Sequence, residues 1–343
     1  MELNDRKPLK YRGIMWLMAL LGFAVMAISI WGCAAGQRPP ESGKAPAAGQ
    51  EGKDDRLLVV TTIFPYYDFV RQIAGDRVKL KLVVPAGMDS HSFEPTPADM
   101  IAMQEADVLI CNGGEMEQWV EKVLGSLDTS HMKVLTMMDY VDVVEEEHVE
   151  GMEEEEEHRH EDGFEMHIEY DEHIWTSPVN AQAIVKIISR TLSEADPREE
   201  SRFENNTQAY LKELKDLDSR FRQVVNQGRL HMIVVADKFP FRYFADEYGL
   251  SYRAAFSGCS GDTEPSARTI AYLIDKVKED RIPAVYYLEL SSHRTAEIIQ
   301  EETGAVPLLL HSCHNVTRKQ FDEGVTYLQL MRQNVENLRY GLE

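Results

Sequence analysis

Side chains that can bind a metal ion recur where predicted β-strands end. In parallel α/β structures, ligands bind just beyond the carboxyl ends of the strands. Imidazoles with one or two carboxylates suit Zn²⁺, and also Mn²⁺ or Fe²⁺ where oxygen ligands dominate. A single histidine of this kind is more often a hydrogen-bonded core or surface residue, but several at the strand ends of one cleft favour a metal site. The candidates are His91, His173, Asp237, Glu289 and His311.

A second set of histidines lies in an acidic stretch without apolar periodicity, residues 145–172. This stretch contains fifteen acidic residues against one base, Arg159. Its histidines before the "DEHIW" segment are His148, His158, His160 and His167. Two interpretations stay open: a solvated, disordered loop, or a weak metal collector whose negative field concentrates cations. In either case we expect tight zinc binding to survive deletion of residues 145–168.

Short β-rich runs alternate with helical patterns along most of the chain. Such alternation is typical of α/β structure with parallel sheets. The runs fall into two groups of four, which predicts two α/β lobes. They cover residues 57–64, 78–84, 107–114 and 131–141, then 231–237, 250–256, 282–290 and 305–313.

A long helical pattern, roughly Arg198 to Gln227, separates the two groups. Its apolar residues recur at helical spacing, and neither glycine nor proline interrupts it before Gly228. At 1.5 Å per residue, such a helix would span about 45 Å. We therefore predict a single rigid connector that restricts large hinge motions between the lobes.

Composition limits the class of partner. The chain has 343 residues, 43% hydrophobic residues and a formal net charge of −22. Length and hydrophobic content suit two globular lobes. The charge argues against nucleic acid and against an anionic membrane surface as partners, since both attract basic patches. It is compatible with a cationic ligand.

The amino terminus has the order of a lipoprotein export signal. A basic segment precedes the uncharged apolar stretch Ile14 to Ile30, and Gly32 stands directly before Cys33. We expect cleavage before Cys33 and attachment of lipid to it, with residues 33–56 as a flexible tether. A transmembrane anchor is the alternative, although about 17 apolar residues is near the lower limit for a span.

Several segments resemble one protein family. They include "TIFPYYDFVRQIAGDRVKLKLVVPAGMDSHSFEPTPADM", "ADVLICNGGEMEQWVEKVL", "DEHIWTSPVNAQAIVKII" and "RYFADEYGL". Together they are similar to the zinc- and manganese-type substrate-binding lipoproteins of bacterial ABC importers. The resemblance implies two parallel-sheet α/β lobes joined by one long helix, a metal bound between the lobes, and delivery of the metal to a membrane permease and its ATPase.

The resemblance also implies metal ligands. Matched by motif, His91 and His173 would be two of them, both from the N-terminal lobe. Where zinc members usually carry a third histidine, this chain has Asp237 or Lys238, and Asp237 is the plausible donor because a protonated lysine has no lone pair. The usual acidic last ligand falls within "LLHSCHN", where His311 is our candidate.

The domain prediction follows from these patterns. We expect a signal peptide over 1–32, a tether over 33–56, an N-terminal lobe over 57–197, a linking helix over 198–228 and a C-terminal lobe over 229–343. Cys259 and Cys313 are expected to form a disulfide or a buried thiol pair rather than to bind zinc. Ligation by one of these thiolates beside His314 remains the alternative.

The predicted function is extracytoplasmic capture of Zn²⁺ for an ABC importer, without enzymatic activity. Two other classes of function are the alternatives. A metallohydrolase would need an open metal position and a general base, but no HExxH, serine-triad or P-loop motif occurs. A lipoprotein that buffers metal or adheres to surfaces without a transporter is the other alternative, and the sequence leaves it open.

Overall fold

Two parallel four-stranded sheets form the framework of the protein. The computed structural model describes residues 54–153, 169–258 and 264–343. The first sheet has the order β2-β1-β3-β4, and the second has the equivalent order β6-β5-β7-β8. Every strand pairing is parallel. The strands are β1 Leu58–Thr61, β2 Lys79–Leu82, β3 Val108–Cys111, β4 Lys133–Thr136, β5 Met232–Val235, β6 Ser251–Ala254, β7 Ala284–Tyr287 and β8 Val306–Leu309.

Each strand lies within one of the eight predicted runs, so the prediction of two α/β lobes is confirmed. The central strand β3 is buried along its whole length, as expected for a parallel sheet covered on both faces. The helices are α1 Phe64–Ala74, α2 Pro97–Gln104, α3 Gln118–Leu124, α4 Pro178–Ala195, α5 Glu200–Gln227, α6 Arg242–Tyr248, α7 Ala267–Asp280, α8 Arg294–Thr303, α9 Arg318–Asp322 and α10 Tyr327–Leu342.

The long helix α5 is present and starts two residues after the predicted start. Its apolar stripe packs against α1 and α4 of the N-terminal lobe and against α6 and α10 of the C-terminal lobe. One continuous apolar core includes residues of both sheets together with this stripe, for example Val59, Leu214 and Ile233. Because the core crosses from lobe to lobe, relative motion of the lobes would have to break buried contacts.

The segments that follow the strands build one region of the molecule. They are residues 83–96 after β2, 112–117 after β3, 236–241 after β5, 288–293 after β7 and 310–317 after β8. Parallel strands bring such segments to one edge of each sheet, where side chains from several segments can meet.

The predicted signal peptide, tether and lipidated Cys33 lie outside the described residues, as do His158, His160 and His167. Within the described ranges, no helix combines the length and the hydrophobicity needed to cross a bilayer.

Candidate metal centre

One cavity of about 260 Å³ receives side chains from both lobes. The N-terminal lobe contributes His91 and His173, and the C-terminal lobe contributes His314. Asp237 and Glu289 line the same cavity. A larger groove of about 640 Å³ lies along α4 and α5, but no histidine or cysteine lines it. The smaller cavity is therefore the one with the donors that transition metals prefer.

His91 is held on an irregular segment between β2 and α2. Its backbone N–H donates to Oδ1 of Asp89 at 2.9 Å, a local turn that fixes the main chain. Phe93 anchors the other side of this segment, because it is buried and packs edge-on against Trp119 with ring centres 5.1 Å apart. The His91 side chain itself is the most exposed of the three imidazoles.

His173 is fixed by a carboxylate two residues earlier. Oδ1 of Asp171 accepts the backbone N–H of His173 at 2.8 Å and lies 3.3 Å from its Nδ1. A histidine whose Nδ1–H points to a carboxylate presents Nε2 to a metal, an arrangement common among metal-binding histidines. Gly258 packs close to this ring, since a Cβ there would stand 3.3 Å from Cε1 of His173.

The buried carboxylate of Glu172 also holds this segment in place. Glu172 accepts the backbone N–H groups of Glu115 and Met116. Gly114 makes this approach possible, because its φ is +82° and a Cβ there would overlap the Glu172 side chain. The turn after β3 is thereby connected directly to the residue preceding His173.

His314 lies on the segment that follows β8. Glu289 fixes this segment by accepting both the backbone N–H and the hydroxyl of Ser312. Ser90 Oγ lies 2.6 Å from Nε2 of His314 across the lobe boundary, while Nδ1 has no hydrogen-bond partner in the described part of the chain. His314 thus keeps one ring nitrogen for a metal.

The three imidazoles are close to the spacing of a shared ligand set. The ring centre of His314 is 6.0 Å from that of His91 and 6.0 Å from that of His173. Bonds of 2.0–2.1 Å in a tetrahedron would place ring centres about 5 Å apart. No group of three or more His, Cys, Asp or Glu residues in the described ranges is already arranged to hold a metal ion. Binding therefore requires the rings to approach by about an ångström.

Trp175 forms the wall behind two of these rings. Its ring centre is 5.5 Å from those of both His173 and His314. The indole N–H donates to the backbone carbonyl of Ser312 at 2.8 Å, which joins the two lobes beside the site. Trp175 is fully buried, so it limits both the water content and the motion of the imidazoles.

The protonation of the histidines differs from one to the next. Loss of hydration lowers the pKa of His91 to about 4, opposed by Asp89 and reinforced by the charges of His173 and Lys238. Burial also lowers the pKa of His314 well below its ordinary value. Burial acts against protonation of His173 as well, but the carboxylates of Asp171, Glu172 and Glu146 together outweigh it and raise the pKa. His91 and His314 therefore offer lone pairs at neutral pH.

Four of the five candidates from the sequence line the cavity, and His311 does not. The structure places His311 behind the site, where its Nδ1 accepts the backbone N–H of Cys313 at 3.0 Å. His314, three residues later, occupies the cavity instead. The chain turns at Cys313, whose φ is +61°, and this turn separates the two imidazoles. The sequence signal that could have indicated His314 was its place within the same "HSCH" segment.

Cys313 is the one member of the predicted cysteine pair that lies in the described part of the chain. Cys313 is buried and has no disulfide partner among residues 54–153, 169–258 and 264–343. Cys259, the other member of the predicted pair, lies outside the described residues. Burial raises the pKa of the Cys313 thiol well above its ordinary value, which disfavours the thiolate that zinc would need.

The acidic stretch is anchored at both of its described ends. Glu145 and Tyr170 form an antiparallel bridge, and the backbone N–H of Asp171 donates to the carbonyl of Val144 at 2.9 Å. Residues 154–168, which contain most of its histidines, lie outside the described ranges.

Comparison with known proteins now identifies the family. A family model described as "Zinc-uptake complex component A periplasmic" matches residues 59–341. The chain belongs to this family. The resemblance that the sequence motifs indicated is therefore confirmed. Members of this family are components of a metal-uptake complex and not enzymes. The prediction that this protein has no enzymatic activity is therefore confirmed as well.

Several family members are similar to this chain over most of its length. The high-affinity zinc uptake system protein ZnuA of Bacillus subtilis (strain 168) is 32% identical over 292 residues, which is 85% of this chain and 89% of that protein. The zinc-binding lipoprotein AdcA of Streptococcus pneumoniae (strain R6) is 33% identical over 293 residues, which is 85% of this chain but only 57% of AdcA.

A solved structure confirms the fold. The Zn(II)-bound ZnuA-like domain of Streptococcus pneumoniae AdcA superposes with a TM-score of 0.68 and 30% identity. The match covers 84% of this chain and 99% of that domain. The prediction of two parallel-sheet lobes of the metal-binding periplasmic type agrees with this likeness.

Proposed function

We propose that this protein captures Zn²⁺ outside the cytoplasm and delivers it to the permease of an ABC importer. The observation that carries the proposal is the convergence of His91, His173 and His314 from two lobes on one cavity. Relatives named for zinc uptake and zinc binding support the choice of cargo. The ATPase that drives the permease would be the second protein partner.

The proposed donors differ in one position from those that the sequence predicted. His91, His173 and His314 would bind the metal, with His314 in place of His311. Asp237 remains the proposed oxygen donor because it lines the same cavity. Three imidazole nitrogens suit Zn²⁺ better than Mn²⁺, which prefers carboxylate, carbonyl and water oxygens.

The location of the protein is part of the proposal. The family is described as periplasmic, and AdcA is named a lipoprotein. Attachment of this chain to the outer face of the cell membrane through lipid on Cys33 is consistent with both descriptions. Mass spectrometry of the membrane fraction would test it, since a lipidated Cys33 changes the mass of the N-terminal peptide.

The ligand proposal is tested by two matched substitutions. We expect His314→Ala to weaken zinc binding by more than about 100-fold, beyond the 10- to 100-fold typical of losing an outer partner. His311→Ala removes the same group three residues away and should leave zinc affinity within about threefold of wild type, because that ring lies behind the cavity. Calorimetric titration with Zn²⁺ and with Mn²⁺ provides the measurement. The reverse ranking of the two variants would restore His311 as the ligand, and stoichiometric Mn²⁺ binding without Zn²⁺ binding would overturn the cargo.

A further inference from the structure

A positively charged side chain, that of Lys238, is part of the cavity wall. Lys238 lines it together with His91 and His314, on the loop that follows β5. Its charge reaches both of these rings, since it contributes, after the larger effect of burial, to lowering the pKa of each. The Lys238 side chain makes no hydrogen bond or ion pair with any residue of the described ranges. A cavity that accepts a divalent cation is thus lined by an unpaired ammonium.

The carboxylates that line the cavity accept hydrogen bonds from groups other than the Lys238 ammonium. Glu289 accepts two hydrogen bonds from Ser312. Oδ1 of Asp237 accepts the backbone N–H of Lys238 at 2.8 Å, and Asp89 accepts the backbone N–H of His91. Glu289 Oε1 also lies 3.4 Å from Nδ1 of His311, and within the described residues none of these carboxylates forms an ion pair with the Lys238 ammonium. A divalent metal would share one partly dehydrated cavity with the Lys238 ammonium, and the proposed donor Asp237 would offset only one of their three positive charges.

A second donor in the cavity also lacks a partner. Oγ of Ser291 is buried, and no hydrogen-bond partner for it exists among the described residues. Buried hydroxyls are normally paired, and an unpaired one requires an explanation. Ser291 follows Leu290, which has a φ of +63° although it is not a glycine. Backbone strain of this kind collects at ligand sites.

The cavity has room for more than a metal ion. Its volume of about 260 Å³ is several times the roughly 30 Å³ that one water occupies. Three imidazoles leave at least one coordination position of Zn²⁺ open, and Zn²⁺ can also expand to five donors if Asp237 coordinates. Space, an open position and two unpaired donors therefore occur together.

We propose that the cavity binds its metal together with a small oxyanion of the carboxylate or carbonate type. One oxygen of the anion occupies an open position on the metal, and the anion also accepts hydrogen bonds from Lys238 and Ser291. The cargo is then a metal–anion pair, and Lys238 selects for it by disfavouring the metal alone. This inference rests on the proposed function, because it extends the description of the same site.

The test compares zinc titrations in two salts at equal ionic strength, sodium acetate and sodium perchlorate. We expect wild type to bind Zn²⁺ about tenfold more tightly in acetate, a gain that reports the offset of the ammonium charge. Acetate also binds free zinc weakly, which works against the expected gain. Lys238→Met should lose the dependence on acetate and should bind at least as tightly as wild type in perchlorate, because the repulsive charge is gone.

Two further variants control the comparison. Lys319→Met removes the same charge from a lysine that is 84% exposed on α9, and it should retain the wild-type response to acetate. Ser291→Ala should reduce the acetate gain to about threefold without altering affinity in perchlorate, as expected for loss of one neutral hydrogen bond. Ser291→Ala also keeps the test valid if Lys238→Met fails to fold.

X-ray absorption at the zinc edge supplies a direct readout. With selenite as an oxyanion probe that scatters strongly, wild type should show selenium at the distance of an oxygen-bound anion on zinc and Lys238→Met should not. Equal affinity in acetate and perchlorate, with no selenium near the metal, would overturn the anion proposal and leave the zinc proposal intact. Absence of stoichiometric zinc binding in every salt would instead overturn the proposed function.

Discussion

The two lobes have the same sheet order, yet they hold the residues of the proposed metal site in different ways. In the N-terminal lobe, His91 and His173 each have a carboxylate two residues earlier, Asp89 and Asp171, that accepts their backbone N–H. Each histidine is therefore fixed by its own neighbours. The two lobes share a sheet order but not the contacts that position the residues after their strands.

In the C-terminal lobe, the side chain two residues before His314 is a hydroxyl instead of a carboxylate: Ser312 Oγ accepts the His314 backbone N–H at 3.2 Å, and bonds to the other lobe add to this local contact. The side chain of Asn315 donates to the carbonyls of Pro85 and Met88 at 2.9 and 2.6 Å, and Trp175 donates to Ser312 O. The C-terminal donor is thus attached to the N-terminal lobe before any metal arrives. This attachment, together with the core that α5 carries through both lobes, favours a small adjustment of the imidazoles between fixed lobes over closure of two halves around the ion.

The largest expected effect is loss of both N-terminal imidazoles. His91→Ala combined with His173→Ala should weaken zinc binding by more than about 1,000-fold, since two proposed donors disappear. Isothermal titration against a competing chelator measures this range. Wild-type binding by the double variant would show that the C-terminal lobe alone holds the metal.

The next effect tests the carboxylate that orients His173. Asp171→Asn should reduce zinc affinity by about 10- to 100-fold, because the amide cannot stabilise the Nδ1–H as the carboxylate does. Asp89→Asn is the matched control. Asp89 accepts only the backbone N–H of His91, which an amide oxygen can also accept, so its loss of affinity should stay within about threefold. Equal losses in the two variants would contradict a special role for Asp171.

The attachment of the C-terminal donor is tested by Asn315→Ala. Because two carbonyls lose their partner, we expect a loss of about 1–3 kcal/mol in the free energy of unfolding and a loss of about threefold to tenfold in zinc affinity. Asn334→Ala removes a buried asparagine whose bonds in the described part of the chain, to His311 and Met331, stay within the C-terminal lobe. It should cost similar stability with a smaller effect on zinc. If both variants lost affinity equally, the contact between lobes would not be what positions His314.

A buried carboxyl group of the N-terminal lobe predicts a dependence of stability on pH. Burial raises the pKa of Glu117 to about 7, against hydrogen bonds from the turn after β3 that lower it. The folded state then holds the proton more tightly than the unfolded state, whose value is near 4.5. Its stabilising contribution is full below pH 4.5 and is lost as pH rises through 7.

Glu117→Gln removes this titration. Relative to this variant, the metal-free wild type should lose on the order of 2 kcal/mol between pH 5 and pH 7.5. Urea unfolding at both pH values measures the difference. A wild type that gained stability relative to the variant over this range would show that the carboxyl group is ionised in the fold.

The smallest effect is expected from the acidic stretch. Deletion of residues 154–168, with 144–147 and 169–171 retained because they pair with each other, should change the equilibrium affinity for zinc by less than about threefold. The association rate should fall at low ionic strength and approach that of wild type in high salt, because the field of the removed glutamates is then screened. A tenfold loss of affinity in the deletion variant would place a ligand inside the stretch.

Much of the fold can be predicted from the pattern of apolar residues along the sequence. The eight strands and the long helix α5 are predictable because buried parallel strands and an amphipathic helix impose local periodicities that depend on few distant contacts. The motifs "HSFEPTP" and "DEHIWTSP" likewise indicated the family together with His91 and His173. These two positions could be proposed as ligands because their motifs match those of the family.

The C-terminal half of the site could not be assigned in that way. His311 ends the predicted strand run, but β8 ends at Leu309 and the chain turns at Cys313, so His314 occupies the cavity. Lys238 is another residue whose importance appears only when the loops after β2, β5, β7 and β8 are brought together. The sequence by itself determined the strands and the connector, because these depend on neighbours in the chain, and it indicated two imidazoles through motifs shared with the family. Tertiary structure decided the third imidazole and the cation beside it, because both depend on contacts between segments far apart in sequence.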